Sequence, residues 1–230
     1  MRILLIAGHG AGDPGACSTI NGVKYREADE TRYVVSQIFS ELTNRFLVDV
    51  GVYATDRNAY ADKKCGALPD EVFKGYDYVA EIHFNALKSE KADGYTKGCE
   101  VYVTQQEKSL GVELQIAQRI SALGLRNRGV KRKNFDVITA AKRAEVSSAL
   151  IECCFIDDPD DMEVYLRNRR AMGVAIADAI AAGFGLTKKP RTNRDIVQQM
   201  CGYDDRTMAY LDKHPYPDAL YQKMVDAIMR

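Results

Sequence analysis

Apolar positions alternate between two periods along most of the chain. Residues 2–7 (Arg-Ile-Leu-Leu-Ile-Ala) form an apolar run that stops at Gly8, as a buried strand does. Residues 27–46 place Thr31, Val34, Val35, Ile38, Phe39 and Leu42 on one helical face. A second strand is expected over Val48–Tyr53 and a helix over Ala61–Lys74. Tyr78, Val79, Ala80 and Ile82 make a third strand that ends at His83. Glu100–Val103 reads as a short strand, and Leu110, Leu114, Ala117 and Ile120 mark a helix closed by Gly124. Ala149–Ile151 is a late strand running into Glu152. One long helix follows, with Met162, Leu166, Gly173, Ile176 and Ile180 on a face. Strands alternating with helices predict an α/β fold: a mostly parallel twisted sheet with helices on both faces.

The pattern stops at Gly183-Phe184-Gly185. Residues 1–186 are therefore expected to form one domain and 187–193, polar and proline-containing, a linker. Residues 194–230 read as a small C-terminal helical unit of three helices, punctuated by Asp204-Asp205 and Pro215-Tyr216-Pro217. A unit this small gains little from its own core. Two uses are open for it: binding a surface through Tyr203, Tyr210, Tyr216 and Tyr221, or capping and oligomerisation.

Charge narrows the partners. Lysine plus arginine number 32 and so do aspartate plus glutamate, which argues against a binder of nucleic acid driven by charge. The basic run Arg126, Arg128, Lys131, Arg132 and Lys133 is expected to be a solvated loop. No segment approaches the roughly 20 apolar residues of a membrane span. The N-terminal apolar run is shorter than a signal-peptide core, so the expectation is a cytoplasmic product without an export address. The six cysteines show no paired spacing and are expected to be free thiols. Nothing in the sequence fixes the oligomeric state.

Of three histidines, His9 and His83 sit where predicted strands end. In a doubly wound sheet the carboxyl ends of the strands line the ligand crevice. Glu27 opens the first long helix and Glu152 follows the last strand, so both carboxylates can reach the same edge. Two imidazoles and a carboxylate form a catalytic zinc shell with a fourth position open to water. A further glutamate can move that water's proton. Plainer readings stay open: histidines hydrogen-bonded for structure, Glu27 favouring a helix dipole, Asp13 before Pro14 as a turn residue. Glu152 resists such a reading, because a carboxylate beside Leu150, Ile151 and Phe155 is costly to desolvate without a partner.

These residues combine into a recognisable series. It runs Gly8-His9-Gly10-x-Gly12-x-Pro14-Gly15-Ala16, Glu27, His83-x-Asn85-Ala86, Gly98-x-Glu100-Val101-Tyr102, Arg128-Gly129-Val130-Lys131 and Leu150-Ile151-Glu152 with Phe155-Ile156. Over roughly residues 1–185 the chain resembles the zinc-dependent N-acetylmuramoyl-L-alanine amidases of the amidase_3 family. The resemblance implies hydrolysis of the amide between N-acetylmuramic acid and L-alanine in peptidoglycan. It implies zinc on His9, Glu27 and His83, Glu152 as the catalytic glutamate and Asn85 in support. The implied setting is a phage endolysin, or a lytic enzyme of a sporulating cell, held in the cytoplasm until released to the wall. The C-terminal unit would then bind wall.

Three positions depart from the family pattern. Glu81 stands where serine is usual, adding a carboxylate near the site if it shares the strand face. Cys154 stands where glycine is usual, so the local backbone must differ if that glycine's freedom is needed; a spare soft ligand and an oxidation-sensitive thiol are further open readings for it. Ala11 replaces a common glycine. The rivals are a non-catalytic wall-binding protein on the same scaffold and a zinc carboxypeptidase acting on the stem peptide. The second is disfavoured because its H-x-x-E spacing is missing at His9.

Overall fold

The computed structural model describes residues 1–87 and 92–229, which divide into two compact units, Met1–Thr187 and Lys188–Arg230. In chain order the first unit contains β1 (Arg2–Ala7), β2 (Cys17–Ile20), β3 (Val23–Arg26), α1 (Glu27–Arg45), β4 (Asp49–Val52) and α2 (Ala59–Lys64). A 3-10 turn over Asp70–Gly75 leads to β5 (Tyr78–Asn85), β6 (Cys99–Val103), α3 (Gly111–Ser121), β7 (Asn127–Arg132) and α4 (Asp136–Arg143). Then come β8 (Ser147–Phe155), α5 (Pro159–Arg167) and α6 (Arg169–Gly183).

Six strands form one sheet in the order β4-β1-β5-β8-β6-β7. Neighbours are parallel except β6 against β8, and β2 and β3 form a separate antiparallel hairpin. The buried strands carry near-continuous apolar runs, as a sheet covered on both faces requires. One face packs Ile3, Leu5, Tyr78 and Ile151 against Val34 and Ile38 of α1, Ile116 of α3 and Ile176 of α6. The other packs Leu4, Ile6 and Val79 under Leu68, Phe73 and the α4 residues Val137 and Ala140. Glu30 of α1, buried, accepts from Tyr165 Oη at 2.7 Å and from Arg169 Nε at 2.9 Å, tying α1 to α5 and α6. The chain leaves β1 for β4 on one side and returns to β5 on the other, so the order reverses between β1 and β5. That reversal opens the crevice in such sheets.

The long elements follow the hydrophobic pattern, but four local expectations are corrected. The helix expected over 61–74 is α2 plus the 3-10 turn, broken where Gly66 turns left-handed at φ 81° and Pro69 precedes the second piece. The long helix after Glu152 is α5 and α6, parted at Asn168, whose Nδ2 donates to Leu123 O and Val164 O. The basic run is largely an edge strand, β7, rather than a solvated loop: across a register shift between Asn127 and Val130, Arg128 and Lys131 both reach one buried carboxylate. β5 continues through His83 to Asn85.

The second unit holds α7 (Asn193–Cys201), α8 (Asp205–Leu211) and α9 (Pro217–Ile228). Thr192 and Asp195 cap α7 reciprocally, and Asp204 caps α8. Its core is Val197, Met208 and Tyr221. Tyr221 Oη donates to Asp212, which also pairs with Arg194 at 2.9 Å. Tyr210 and Tyr216 are exposed.

Candidate metal centre

The residues after β1 cannot continue as a strand. His9 and Ala11 have φ of 61° and 48°, and Gly10, Gly12 and Gly15 are also left-handed. The chain therefore curls back, with Gly10 and Asp13 forming a bridge, and delivers Glu27 at the start of α1. Arg32, one turn into α1, holds this curl. Its guanidinium donates to the carbonyls of Gly8, His9, Ala28, Thr55 and Arg57. A cation spent on carbonyl oxygens fixes a strained backbone that sequence patterning gives no reason to expect.

Glu27 is the centre of the cluster. Its Oε2 lies 3.1 Å from His9 Nε2 and its Oε1 lies 3.0 Å from His83 Nδ1. The backbone N–H groups of Ala16 and Phe84 also donate to it, each at 3.0 Å. One donor atom from each of His9, Glu27 and His83 lies within 4.8 Å of the others, which makes them a group able to hold a metal ion. Two glycines make room. A Cβ at Gly8 would stand 2.4 Å from His83 Cε1, and one at Gly15 would stand 2.7 Å from both Glu27 Oε2 and His9 Cδ2.

The outer nitrogen of each imidazole meets a second carboxylate. His9 Nδ1 lies 2.8 Å from Asp13 Oδ2, and Asn58 Nδ2 donates to the same oxygen at 3.0 Å. His83 Nε2 lies 3.3 Å from Glu81 Oε1. Glu81 and His83 alternate along β5, so they share a face.

Glu152 of β8 is registered between His83 on β5 and Glu100 on β6. Its Oε2 is buried without a hydrogen-bond partner. Glu152 and Glu81 border a cavity of about 230 Å³ whose apolar walls include Tyr60, Phe135, Val137 and Leu150, with His9 and His83 at its edge. Glu100 is fully engaged. It accepts from Asn85 Nδ2 at 2.8 Å, Tyr102 Oη at 2.7 Å, Arg128 Nε at 2.6 Å and Lys131 Nζ. Asn85 thus bonds to Glu100, the neighbour of Glu152.

The electrostatics follow from this layout. Burial raises the cost of a charge on Glu27, but hydrogen bonds from both imidazoles outweigh it and hold its carboxyl far below the usual range. Burial opposes protonation of His83, yet bonding to Glu27 and Glu81 lifts it well above an ordinary histidine. His9 moves up as well, burial being overcome by Glu27 and Asp13. Burial pushes Glu152 up to about 7, with the nearby carboxylates adding to the shift and His83 opposing it.

Cys154 lies elsewhere. One extra residue on β8 separates the pair His83–Glu152 from Asn85–Phe155, and this bulge turns both Cys153 and Cys154 into the same core. Cys154 is fully buried, its thiol pushed up by burial, and it is outside the metal group. It is therefore no spare ligand. Its backbone is not left-handed either, so a glycine's freedom is not required there.

A family model described as N-acetylmuramoyl-L-alanine amidase, Amidase_3, matches residues 3–183. The chain belongs to this amidase family. It is a hydrolase, and peptidoglycan is its substrate. Solved structures resemble it in fold. An N-acetylmuramoyl-L-alanine amidase from Clostridium difficile 630 is 21% identical with a TM-score of 0.61, covering 80% of this chain and 94% of the other. The catalytic domain of the amidase CwlV from Bacillus (Paenibacillus) polymyxa var. colistinus is 20% identical with a TM-score of 0.64, covering 81% and 99%. The catalytic domain of the CD27L endolysin, which targets Clostridia difficile, is 21% identical with a TM-score of 0.58, covering 79% and 97%. A comparison with curated proteins found no match.

Several features of this amidase escape the sequence. Asp13 does make a turn, accepting from Gly15 N at 3.0 Å, but its other oxygen holds His9. Asn58 is remote in sequence from Asp13, and Arg32 from all its acceptors but Ala28. Glu100 carried a signal: like Glu152, it is a carboxylate inside an apolar strand, which needs partners to be buried.

Proposed function

We propose that this amidase cuts the bond between N-acetylmuramic acid and L-alanine with zinc held by His9, Glu27 and His83, and with Glu152 as its general base and acid. The observation that carries the reading is the convergence of two imidazoles and one carboxylate within 4.8 Å beside a cavity that Glu152 borders. The donor set suits zinc: nitrogen and oxygen ligands, few in number, leaving room for water. Bound there, zinc supplies a Lewis acid that polarises the scissile carbonyl and lowers the pKa of water.

The remaining work falls to the chain. Asp13 fixes the His9 imidazole through its outer nitrogen. The apolar walls of the cavity exclude bulk water from the reacting amide. Glu152, with a buried free oxygen and a pKa near neutrality, takes a proton from the attacking water and delivers it to the departing alanine nitrogen. Asn85, Arg128 and Lys131 compensate Glu100, which keeps a second buried charge from pushing Glu152 higher still.

The setting we infer is lysis of the wall after release from the cytoplasm, as the name of the CD27L endolysin suggests for that protein. Among the described residues no helix is long and apolar enough to cross a membrane. Residues 188–230 would then hold the enzyme on wall, with Tyr210 and Tyr216 exposed for stacking on sugars.

Glu152→Gln tests the assignment. It should keep zinc and wall binding while turnover falls by roughly 10²–10⁴-fold. Turnover within a few-fold of the parent enzyme would remove Glu152 from the mechanism.

A further inference from the structure

We propose that Glu81 is the positioning residue for His83, fixing which ring nitrogen faces the metal group. The inference rests on the metal assignment above and adds a residue to it.

The two imidazoles reach Glu27 by different atoms, His9 through Nε2 and His83 through Nδ1. A neutral imidazole has one lone pair and one N–H, so the nitrogen left for a metal is set by the partner of the other. At His9 that partner is Asp13, and at His83 it is Glu81 Oε1, 3.3 Å from Nε2. Among the described residues His83 Nε2 has no other hydrogen-bond partner. Gly8 packs so closely on the ring that even a methyl group there would strike it. The ring is therefore confined by a backbone wall as well as contacted by a carboxylate.

The cost of Glu81 argues for a purpose. It is 3% exposed on a central strand, between Ala80 and Ile82, and its Oε2 has no hydrogen-bond partner. Among the described residues no lysine or arginine pairs with it, whereas the equally buried Glu100 has both. A carboxylate so placed destabilises a fold unless something in the site repays its desolvation. Orienting His83 and strengthening it as a donor to a cation does so.

Glu81→Ala and Glu81→Gln in the full chain test this. Zinc affinity is measured by competition with a chromophoric chelator, and the ligand field by the visible spectrum of the cobalt-substituted protein. Loss of such an outer partner typically lowers affinity 10–100-fold. Glu81→Ala should fall in that range and should alter the cobalt spectrum even at saturating metal. At saturating zinc it should lower kcat on purified walls with KM unchanged. Glu81→Gln keeps an acceptor but not the charge, so its affinity should fall by about tenfold with the cobalt spectrum largely restored.

If Glu81→Ala does not fold, the Gln variant carries the test, and parental affinity in it overturns the proposal. A folded Ala variant with parental affinity and spectrum also overturns it. So does a change confined to KM, which would place Glu81 on the substrate instead. The metal readings do not depend on the reaction. If the parent releases no alanine termini from walls while the Glu81 variants lose metal, the function reading fails and this one stands.

Discussion

His9 and His83 meet Glu27 through opposite nitrogens, and much of the chemistry of this amidase follows from that contact. Their raised pKa values mean that, without metal, protons stay on the imidazoles above the usual histidine range. The sign for stability follows. The histidine contribution to the metal-free fold is complete below the unfolded histidine pKa and is lost as pH rises through the raised values. Glu27 contributes above the ordinary carboxylate range, and its share is lost only deep in acid. A metal must displace those protons. Zinc affinity should therefore weaken as pH falls through the raised histidine range, with protons released on binding. Calorimetry in two buffers of different ionisation enthalpy measures the release, and a pH-independent affinity would contradict it. At this scale the signals in the sequence were residue type and place: scarce histidines at strand ends, and a carboxylate in an apolar strand. The contacts of Asp13, Asn58 and Arg32 were invisible because they depend on a left-handed loop that no hydrophobic period encodes.

At the scale of elements, hydrophobic period was readable wherever an element is long and buried. β1, α1 and β8 are such elements, and β1 and α1 lie close to where the pattern puts them. Short or amphipathic pieces were not. The β2–β3 hairpin carries few apolar residues, α4 is only eight residues long, and β7 reads as a charge run because it is an edge strand. That edge is held by Glu100, which gathers donors from β5, β6 and β7. Glu100→Ala should cost on the order of 2 kcal/mol, less than a fully buried pair because the Arg128 and Lys131 side chains are 30% and 37% exposed. Urea unfolding checks it: the midpoint should fall with an unchanged slope. A change under about 0.5 kcal/mol would mean that β7 needs no such anchor.

The whole molecule is two units, and the sheet order of the first places its crevice between β1 and β5, where His9 and His83 stand. The second unit has a core of three fully or nearly fully buried side chains, so its own stability is small. A chain ending at Thr187 should keep its fold and its zinc affinity while its binding to insoluble walls weakens. Co-sedimentation with walls and thermal unfolding measure the two effects separately. An unfolded truncation would make residues 188–230 a structural cap, and unchanged wall binding would remove their proposed role.

The most direct test of the account is to digest purified cell walls with the enzyme and identify the new termini, with chelator, without it, and after zinc is restored. The account predicts new amino-terminal L-alanine that disappears on chelation and returns with zinc. New termini that persist in a fully metal-free enzyme, or walls left uncut by the zinc-loaded enzyme, would contradict it.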